Sequence, residues 1–187
     1  MSDDHQHHHH HDDNDGHDHD DDHEHHHHHD RETVRAAVVT VSSSRSLDDD
    51  PAGDAIVAAF EAAGHEVSQR ELIGDSFDGV QGTISRLVDR EDVHAVVVTG
   101  GTGVTPDDVT VEAVEPLFDK RLPGFGELFR RLSYEEIGTR VVGTRATAGV
   151  ASGVPVFCLP GSENAARLGI EEVIVPEVGH LAGLATR

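Results

Sequence analysis

The sequence predicts a layered α/β fold, and three observations carry that prediction. A β-branched run at Val34–Val41, a helix-spaced apolar set at Ile56, Val57 and Phe60, and later apolar segments alternate in a β-α-β-α-β order. The run Val93–Thr99 is almost wholly apolar and has helical neighbours on both sides, as expected of a parallel strand buried on two faces. It ends in a glycine-dense turn, Gly100-Gly101-Thr102-Gly103, at the kind of strand end where open α/β sheets bind ligands. Right-handed crossovers follow from that order.

Each element has its own local signal. Val34–Val41 reads as a central strand and Ser42–Asp50 as a polar loop. Pro51 and Asp54 open a helix, and Gly64 stops it. His65–Ile73 alternates imperfectly and reads as an edge strand, followed by a loop over Gly74–Phe77. Val80, Ile84, Leu87 and Val88 mark a second amphipathic helix. Beyond the glycine turn, Thr110 is placed to cap a short helix through Leu117. The stretch L-P-G-F-G at 122–126 reads as a tight apolar turn, and Tyr134–Ile137 as a short helix. Val141–Val142 and Ala146–Val150 are short and glycine-interrupted. Pro155–Leu159 is another core strand, with a helix from Glu163 to Leu168; Val173–Val175 reads as a last strand or turn, and Glu177–Leu184 as a closing helix.

Composition divides the chain at residue 30. Residues 1–30 hold 14 of the 17 histidines and about a third of the 36 acids, with no aliphatic side chain after Met1. Such a segment buries too little apolar surface to offset ordering entropy and reads as disordered, which leaves residues 31–187 as one domain. Its histidine runs, His7, His8, His9, His10, His11 and His25, His26, His27, His28, His29, lie among carboxylates, a combination that binds Zn2+ or Ni2+ weakly and without fixed geometry. A solubilising or engineered extension is the alternative reading. The net charge of −22 argues against nucleic acid and anionic membranes as partners and suits a protein that stays hydrated in high salt, as in a halophilic cell. Cys158 is the sole cysteine, in an apolar run, so no intrachain disulfide forms. No 18-residue apolar stretch and no secretory signal stand out, and the cytoplasm is the expected location.

The chemistry gathers at strand ends. Residues 98–110 read V-T-G-G-T-G-V-T-P-D-D-V-T. Glycines at 100, 101 and 103 let the backbone approach an anion, and a neighbouring carboxylate can hold Mg2+, which prefers hard oxygen ligands. Asp108, and with it Asp75, are candidate Mg2+ ligands; a helix cap is the structural alternative for Asp107 and Asp108, and it accounts for one of the two. Ser42, Ser43, Ser44 and Arg45 follow the first strand, and Gly161 and Ser162 follow Leu159; each group can contact a phosphate or be an ordinary polar turn. The lysine-containing P-loop pattern and the full G-x-G-x-x-G fingerprint are both missing, which argues against the usual NTPase and dinucleotide readings. A phosphate-bearing nucleotide handled with magnesium fits best.

With these motifs assembled, the chain resembles the MoaB/MogA family of molybdenum-cofactor biosynthesis proteins, over about Val34–Leu184. The marks are T-V-S-S-S-R at 40–45, V-V-T-G-G-T-G at 97–103, D-D-V-T at 107–110, E-P-L-F-D-K-R-L-P-G-F-G-E-L-F-R at 115–130, L-S-Y-E-E-I-G-T at 132–139 and L-P-G-S at 159–162. The stretch 115–139 favours the MoaB-like branch. The resemblance implies a three-layer α/β/α sandwich with a mostly parallel central sheet, assembled as a homotrimer or homohexamer. It implies molybdopterin and ATP with Mg2+ as ligands, adenylylation of the pterin as the reaction, and a molybdenum-insertion protein as a possible downstream partner. It assigns catalysis to Asp108 and to Asp75, with Asp78 the alternative for the second acid, nucleotide binding to Gly100, Gly101, Thr102, Gly103 and Thr110, and the pterin phosphate to Gly161 and Ser162. The serine-rich loop Ser42–Arg45 joins that anion-binding set.

Overall fold

The computed structural model of the chain describes residues 30–186. The disordered and metal-binding readings of the histidine-rich segment fall on residues 1–29 and lie outside the described residues.

A six-stranded sheet in the order β2-β1-β3-β6-β5-β4 forms the middle layer. Strands β1 (Arg35–Val41), β2 (Glu66–Ile73), β3 (Ala95–Thr99) and β6 (Val154–Leu159) run parallel. Strand β5 (Thr147–Ala151) is antiparallel to β6, and β4 (Lys120–Arg121) is antiparallel to β5. The sheet is therefore mixed, with its reversed pairings on one side. The cause is local. Ser152 and Gly153 have positive φ, 49° and 76°, and a two-residue turn of that kind returns the chain as a hairpin rather than a crossover.

Alternation along β1 explains the three layers. Ala36 and Val38 face one core, and Ala37, Val39 and Val41 face the other. The first core takes Ile56 and Phe60 from α1 (Pro51–Ala62), Phe125 and Phe129 from α4 (Pro123–Ile137), Ala166 from α5 (Glu163–Gly169), and Val178 and Ala182 from α6 (Val175–Ala185). The second takes Val80, Ile84, Leu87 and Val88 from α2 (Phe77–Val88), and Ala113 and Val114 from α3 (Thr110–Val114). All five residues of β3 are buried, as the unbroken apolar run requires.

Two expectations need correction, and one open stretch is settled. Residues 122–126 are no turn: Pro123 sits in the first turn of α4, which runs unbroken through Tyr134 to Ile137. Gly126 serves close approach there, since a Cβ on it would lie 2.6 Å from the Ala146 carbonyl oxygen. Phe125 and Phe129, one helical turn apart, stack at 6.3 Å, and Phe125 also meets Phe157 at 5.4 Å. Val173–Val175 is neither strand nor turn: Ile170–Ile174 forms a widened helical turn that joins α5 to α6. Pro176 follows it, and its missing N–H is accommodated where the regular hydrogen-bond ladder is already altered. Val141–Val142 lies in a 3₁₀ stretch, Gly138–Gly143, that begins where Gly138 adopts φ 58°.

Candidate functional site

The parallel strands deliver their carboxyl ends to one place. A cleft of about 650 Å³ opens there, walled by Ser42, Ser44 and Arg45 after β1, by Gly100–Gly103 and Asp108 after β3, and by Pro160–Ser162 after β6. Of the residues singled out from sequence, Ser42, Ser44, Arg45, Gly100, Gly101, Thr102, Gly103, Asp108, Gly161 and Ser162 meet in this cleft. Ser43, Asp75 and Thr110 do not line it.

Ser43 and Asp75 fasten each other beside the cleft, and Thr110 holds two residues that line it. Asp75 Oδ2 accepts a 2.8 Å hydrogen bond from the Ser43 N–H, and the Asp75 N–H donates to Ser43 Oγ at 3.1 Å. This reciprocal pair ties the end of β2 to the serine loop. Thr110 stands at the first position of α3 rather than at its cap, where Val109 makes no side-chain bond. The Thr110 hydroxyl donates to the Gly100 carbonyl at 2.8 Å, and its N–H to the Gly101 carbonyl at 3.0 Å.

The glycine turn is sterically compelled. Gly100 has φ 103°, and a Cβ there would stand 2.2 Å from the Val41 carbonyl oxygen; Gly101 has φ 65°, with the Thr110 hydroxyl 2.3 Å from the same position. Only glycine lets the β3 end pass this close to the β1 end while curling left-handed.

Asp108 Oδ2 accepts from the Thr105 N–H at 2.8 Å and from the Thr105 hydroxyl at 2.7 Å. Partial burial pushes its carboxyl up, but the bonds from Thr105, the Gly103 N–H and the nearby Arg145 charge outweigh that, holding it below the ordinary aspartate value. It enters the cleft as a carboxylate. Arg145 is the clamp on this turn. Its N–H donates to the Thr102 carbonyl at 3.1 Å, its Nε to the Gly103 carbonyl at 2.7 Å and one Nη to the Asp108 carbonyl at 2.9 Å. The other Nη pairs with Glu112.

A second network lies under the opposite wall. Asp50 is fully buried and accepts from the Thr40 hydroxyl at 2.6 Å, the Gly53 N–H at 3.0 Å and Arg70 at 3.2 Å, with Arg45 3.7 Å away. Burial raises its pKa, and these partners together more than reverse that, so it stays ionised and anchors both the start of α1 and the base of Arg45.

Sequence reasoning missed the fourth wall. Phe129, Ser133 and Ile137 reach the cleft from α4, and Arg140, Gly143 and Thr144 from the segment after it. The spacing of 129, 133 and 137 is helical, but reading 122–126 as a turn and beginning the helix only at Tyr134 hid that face. Two glycines, each followed by a threonine and an arginine, in G-T-R-V-V-G-T-R at 138–145, were the available signal. The Thr144 hydroxyl is buried in that wall without a hydrogen-bond partner among the described residues, so it can serve a ligand. The cleft thus offers two guanidinium groups, several hydroxyls, a glycine-rich backbone and one carboxylate, a set suited to a phosphorylated, metal-accompanied ligand. Among the described residues no group of three or more His, Cys, Asp or Glu stands together as a metal site, and no helix is long and apolar enough to cross a membrane.

Residues 37–180 match the model of a probable molybdopterin binding domain. Molybdenum cofactor biosynthesis protein B of Bacillus subtilis (strain 168) is 42% identical over 151 residues, covering 80% of this chain and 89% of that protein. Its Escherichia coli (strain K12) counterpart is 40% identical over 144 residues, 77% of this chain and 85% of that protein. Among solved structures, a molybdenum cofactor biosynthesis protein B superposes with a TM-score of 0.80 at 40% identity, over 82% of this chain and 96% of that one. The tungsten cofactor synthesizing protein MoaB from Pyrococcus furiosus does so at 0.74 and 38%, over 83% of this chain and 98% of that one.

Proposed function

Because this chain belongs to the MoaB/MogA family of molybdenum cofactor biosynthesis proteins, in its MoaB-like branch, we propose that it adenylylates molybdopterin at the expense of ATP. The observation that supports this reading is the convergence of Arg45, Gly100–Gly103, Asp108 and Gly161–Ser162 on one cleft. In the reaction, an oxygen of the terminal phosphate of molybdopterin attacks the α-phosphorus of ATP. That P–O bond forms as the bond to the α,β-bridging oxygen breaks, and pyrophosphate leaves with both electrons. Such a transfer needs alignment and charge neutralisation rather than a protein nucleophile.

This chain's residues divide that work. The N–H groups of the Gly100–Gly103 turn and the guanidinium groups of Arg45 and Arg140 hold phosphate oxygens. Gly161 and Ser162 wall the side assigned to the pterin phosphate. The fit to magnesium rests on Asp108, a hard, ionised ligand; a single carboxylate is enough for an ion that arrives on a triphosphate and keeps several waters. Bound there, Mg2+ would offset phosphate charge. Asp75 is assigned to the serine loop it fastens rather than to the metal.

Tail-bound Zn2+ or Ni2+, a cytoplasmic setting and a molybdenum-insertion partner belong to the same reading. So does a homotrimer or homohexamer, for which the apolar hollow of Leu122, Phe125, Leu128 and Leu181 is a suitable contact, with sedimentation as its check.

The test is to incubate the protein with molybdopterin, ATP and Mg2+ and weigh the pterin. Adenylylated product and pyrophosphate are expected, and Asp108→Asn is expected to lower turnover by about 10²-fold, roughly 3 kcal/mol, while the fold is kept. Bound but unmodified pterin would replace this reading with a non-catalytic molybdopterin-binding or scaffold role.

A further inference from the structure

Each carbonyl of the Gly100–Gly103 turn is already taken. The Thr110 hydroxyl donates to the Gly100 carbonyl at 2.8 Å, and the Thr110 N–H to that of Gly101 at 3.0 Å. The Arg145 N–H donates to the Thr102 carbonyl at 3.1 Å, and its Nε to that of Gly103 at 2.7 Å. Thr110 is fully buried, and neither it nor Arg145 lines the cleft. A trans peptide points its N–H opposite to its C=O, so the N–H groups of Gly101, Thr102, Gly103 and Val104 are turned the other way. Gly103 shows where that leads: its N–H reaches the carboxylate of Asp108, which does line the cleft.

Not every donor of the turn is available. The Gly100 N–H is used by the Leu159 carbonyl at 3.0 Å, and that of Gly103 by Asp108. The N–H groups of Gly101, Thr102 and Val104 make no hydrogen bond among the described residues. Val104 lies outside the cleft on an exposed stretch, whereas Gly101 is half-buried and Thr102 buried in the cleft wall. Two adjacent backbone donors in a concave wall, with no protein partner, form a receptor for an anionic oxygen.

The two donors are not equally secure. Inverting a peptide plane exchanges its C=O and N–H with little movement of the chain, but it swings φ of the following residue by about half a turn. For the Gly101–Thr102 peptide that residue is Thr102, which is β-branched and does not have positive φ, so inversion would force it into the disfavoured region. The Gly100–Gly101 peptide has glycine on both sides, and glycine accepts either sign of φ. What opposes its inversion is the bond from the Thr110 hydroxyl to the Gly100 carbonyl. Inverted, this peptide would offer the cleft an oxygen in place of the Gly101 N–H and would repel phosphate. We propose that Thr110 is a positioning residue for the adenylylation reaction. Its hydroxyl, without touching the ligand, fixes the polarity of the Gly100–Gly101 peptide, so that the Gly101 N–H joins that of Thr102 in receiving a phosphate oxygen of the nucleotide. This rests on the nucleotide reading of the cleft and adds to it the residue that sets the donor side of the turn.

Amide NMR of the full chain, titrated with ATP and Mg2+ in the absence of molybdopterin, tests this. In the unaltered protein the Gly101 and Thr102 amide signals are expected to shift. Thr110→Val keeps the N–H and removes the hydroxyl. It is expected to weaken ATP binding about tenfold and to cut the Gly101 shift to about half or less, while the Thr102 shift persists. Thr110→Ser returns the hydroxyl, and with it most of the affinity and of the Gly101 shift. Thr110→Ala removes the hydroxyl without setting a methyl against the carbonyl, so loss of folding in Thr110→Val does not leave the question open. A folded Thr110→Val or Thr110→Ala protein that binds ATP within about twofold of the unaltered one overturns the proposal. So does an equal loss of shift at Gly101 and Thr102, which would make Thr110 a packing residue only. An unaltered protein whose Gly101 amide ignores ATP also overturns it. If ATP binding depends on Thr110 in this way but molybdopterin is left unmodified, the adenylylation reading falls and the role of the hydroxyl in nucleotide binding stands.

Discussion

Two four-residue glycine-rich segments of this chain have opposite fates. Gly100-Gly101-Thr102-Gly103 ends a buried strand, turns left-handed at its first two residues and walls the cleft. Pro123-Gly124-Phe125-Gly126 is the first turn of α4, with Phe125 and Phe129 a helical turn apart in the core. The glycines permit both outcomes and dictate neither. In the first segment the neighbouring Val41 carbonyl and Thr110 hydroxyl leave no room for a Cβ. In the second, proline at the helix start and two aromatic anchors decide.

Substitution separates the two most sharply at Gly100. Gly100→Ala puts a methyl 2.2 Å from a backbone oxygen at φ 103°, and the expected loss is about 3 kcal/mol or more with collapse of ligand binding, read by urea unfolding and nucleotide titration. Arg145→Met leaves the glycines in place and removes the clamp on the turn. Faster hydrogen exchange over 102–108 is expected, with about a tenfold loss of kcat and a smaller change in KM, while Arg145→Lys recovers only part, since one ammonium cannot reproduce the fork. Within the helical segment the two glycines should part. Gly126→Ala meets the Ala146 carbonyl at 2.6 Å and is expected to cost about 1–3 kcal/mol, whereas Gly124→Ala meets nothing within 4 Å and should stabilise the helix by about 0.5–1 kcal/mol in the same urea assay. Equal effects at 124 and 126 would remove the close-approach explanation.

Acid provides the mildest probe. Asp108 is held below the ordinary aspartate value, and a depressed carboxyl stabilises the fold above its unfolded pKa. That contribution is complete above the ordinary value near 3.8 and fades as pH falls through the lower folded value. Asp50 behaves the same way under the serine-loop wall. Carboxyl titration by NMR is expected to show both midpoints below 3.8.

Much of this architecture was legible because hydrophobic period and burial agree. β1, α1, α2, β3 and β6 each carry a pattern that one layer dictates, and the strand-end turn announces itself by its position. Where sequence reading failed, a local signal had a second cause. Pro-Gly-x-Gly signals a turn until one knows that Ala146 presses on Gly126. The β-branched Val173–Val175 suggests a strand until a proline and the core make it a helical junction. The reversed β5 rests on two residues, Ser152 and Gly153, whose left-handed geometry is modest evidence against a long parallel pattern. Arg145 was passed over because its role comes from contacts with Gly103 and Asp108, 42 and 37 positions away, to which no spacing rule points.

The parallel strands have one further effect, on how the molecule can be attached to anything. β1 enters at Arg35, beside the point where the amino-terminal segment joins, and leaves at Val41 against the cleft. Those two points are separated by roughly 20 Å of strand. A fusion or tether joined directly at Arg31, with the preceding residues removed, would therefore start from the side of the molecule away from the mouth of the pocket.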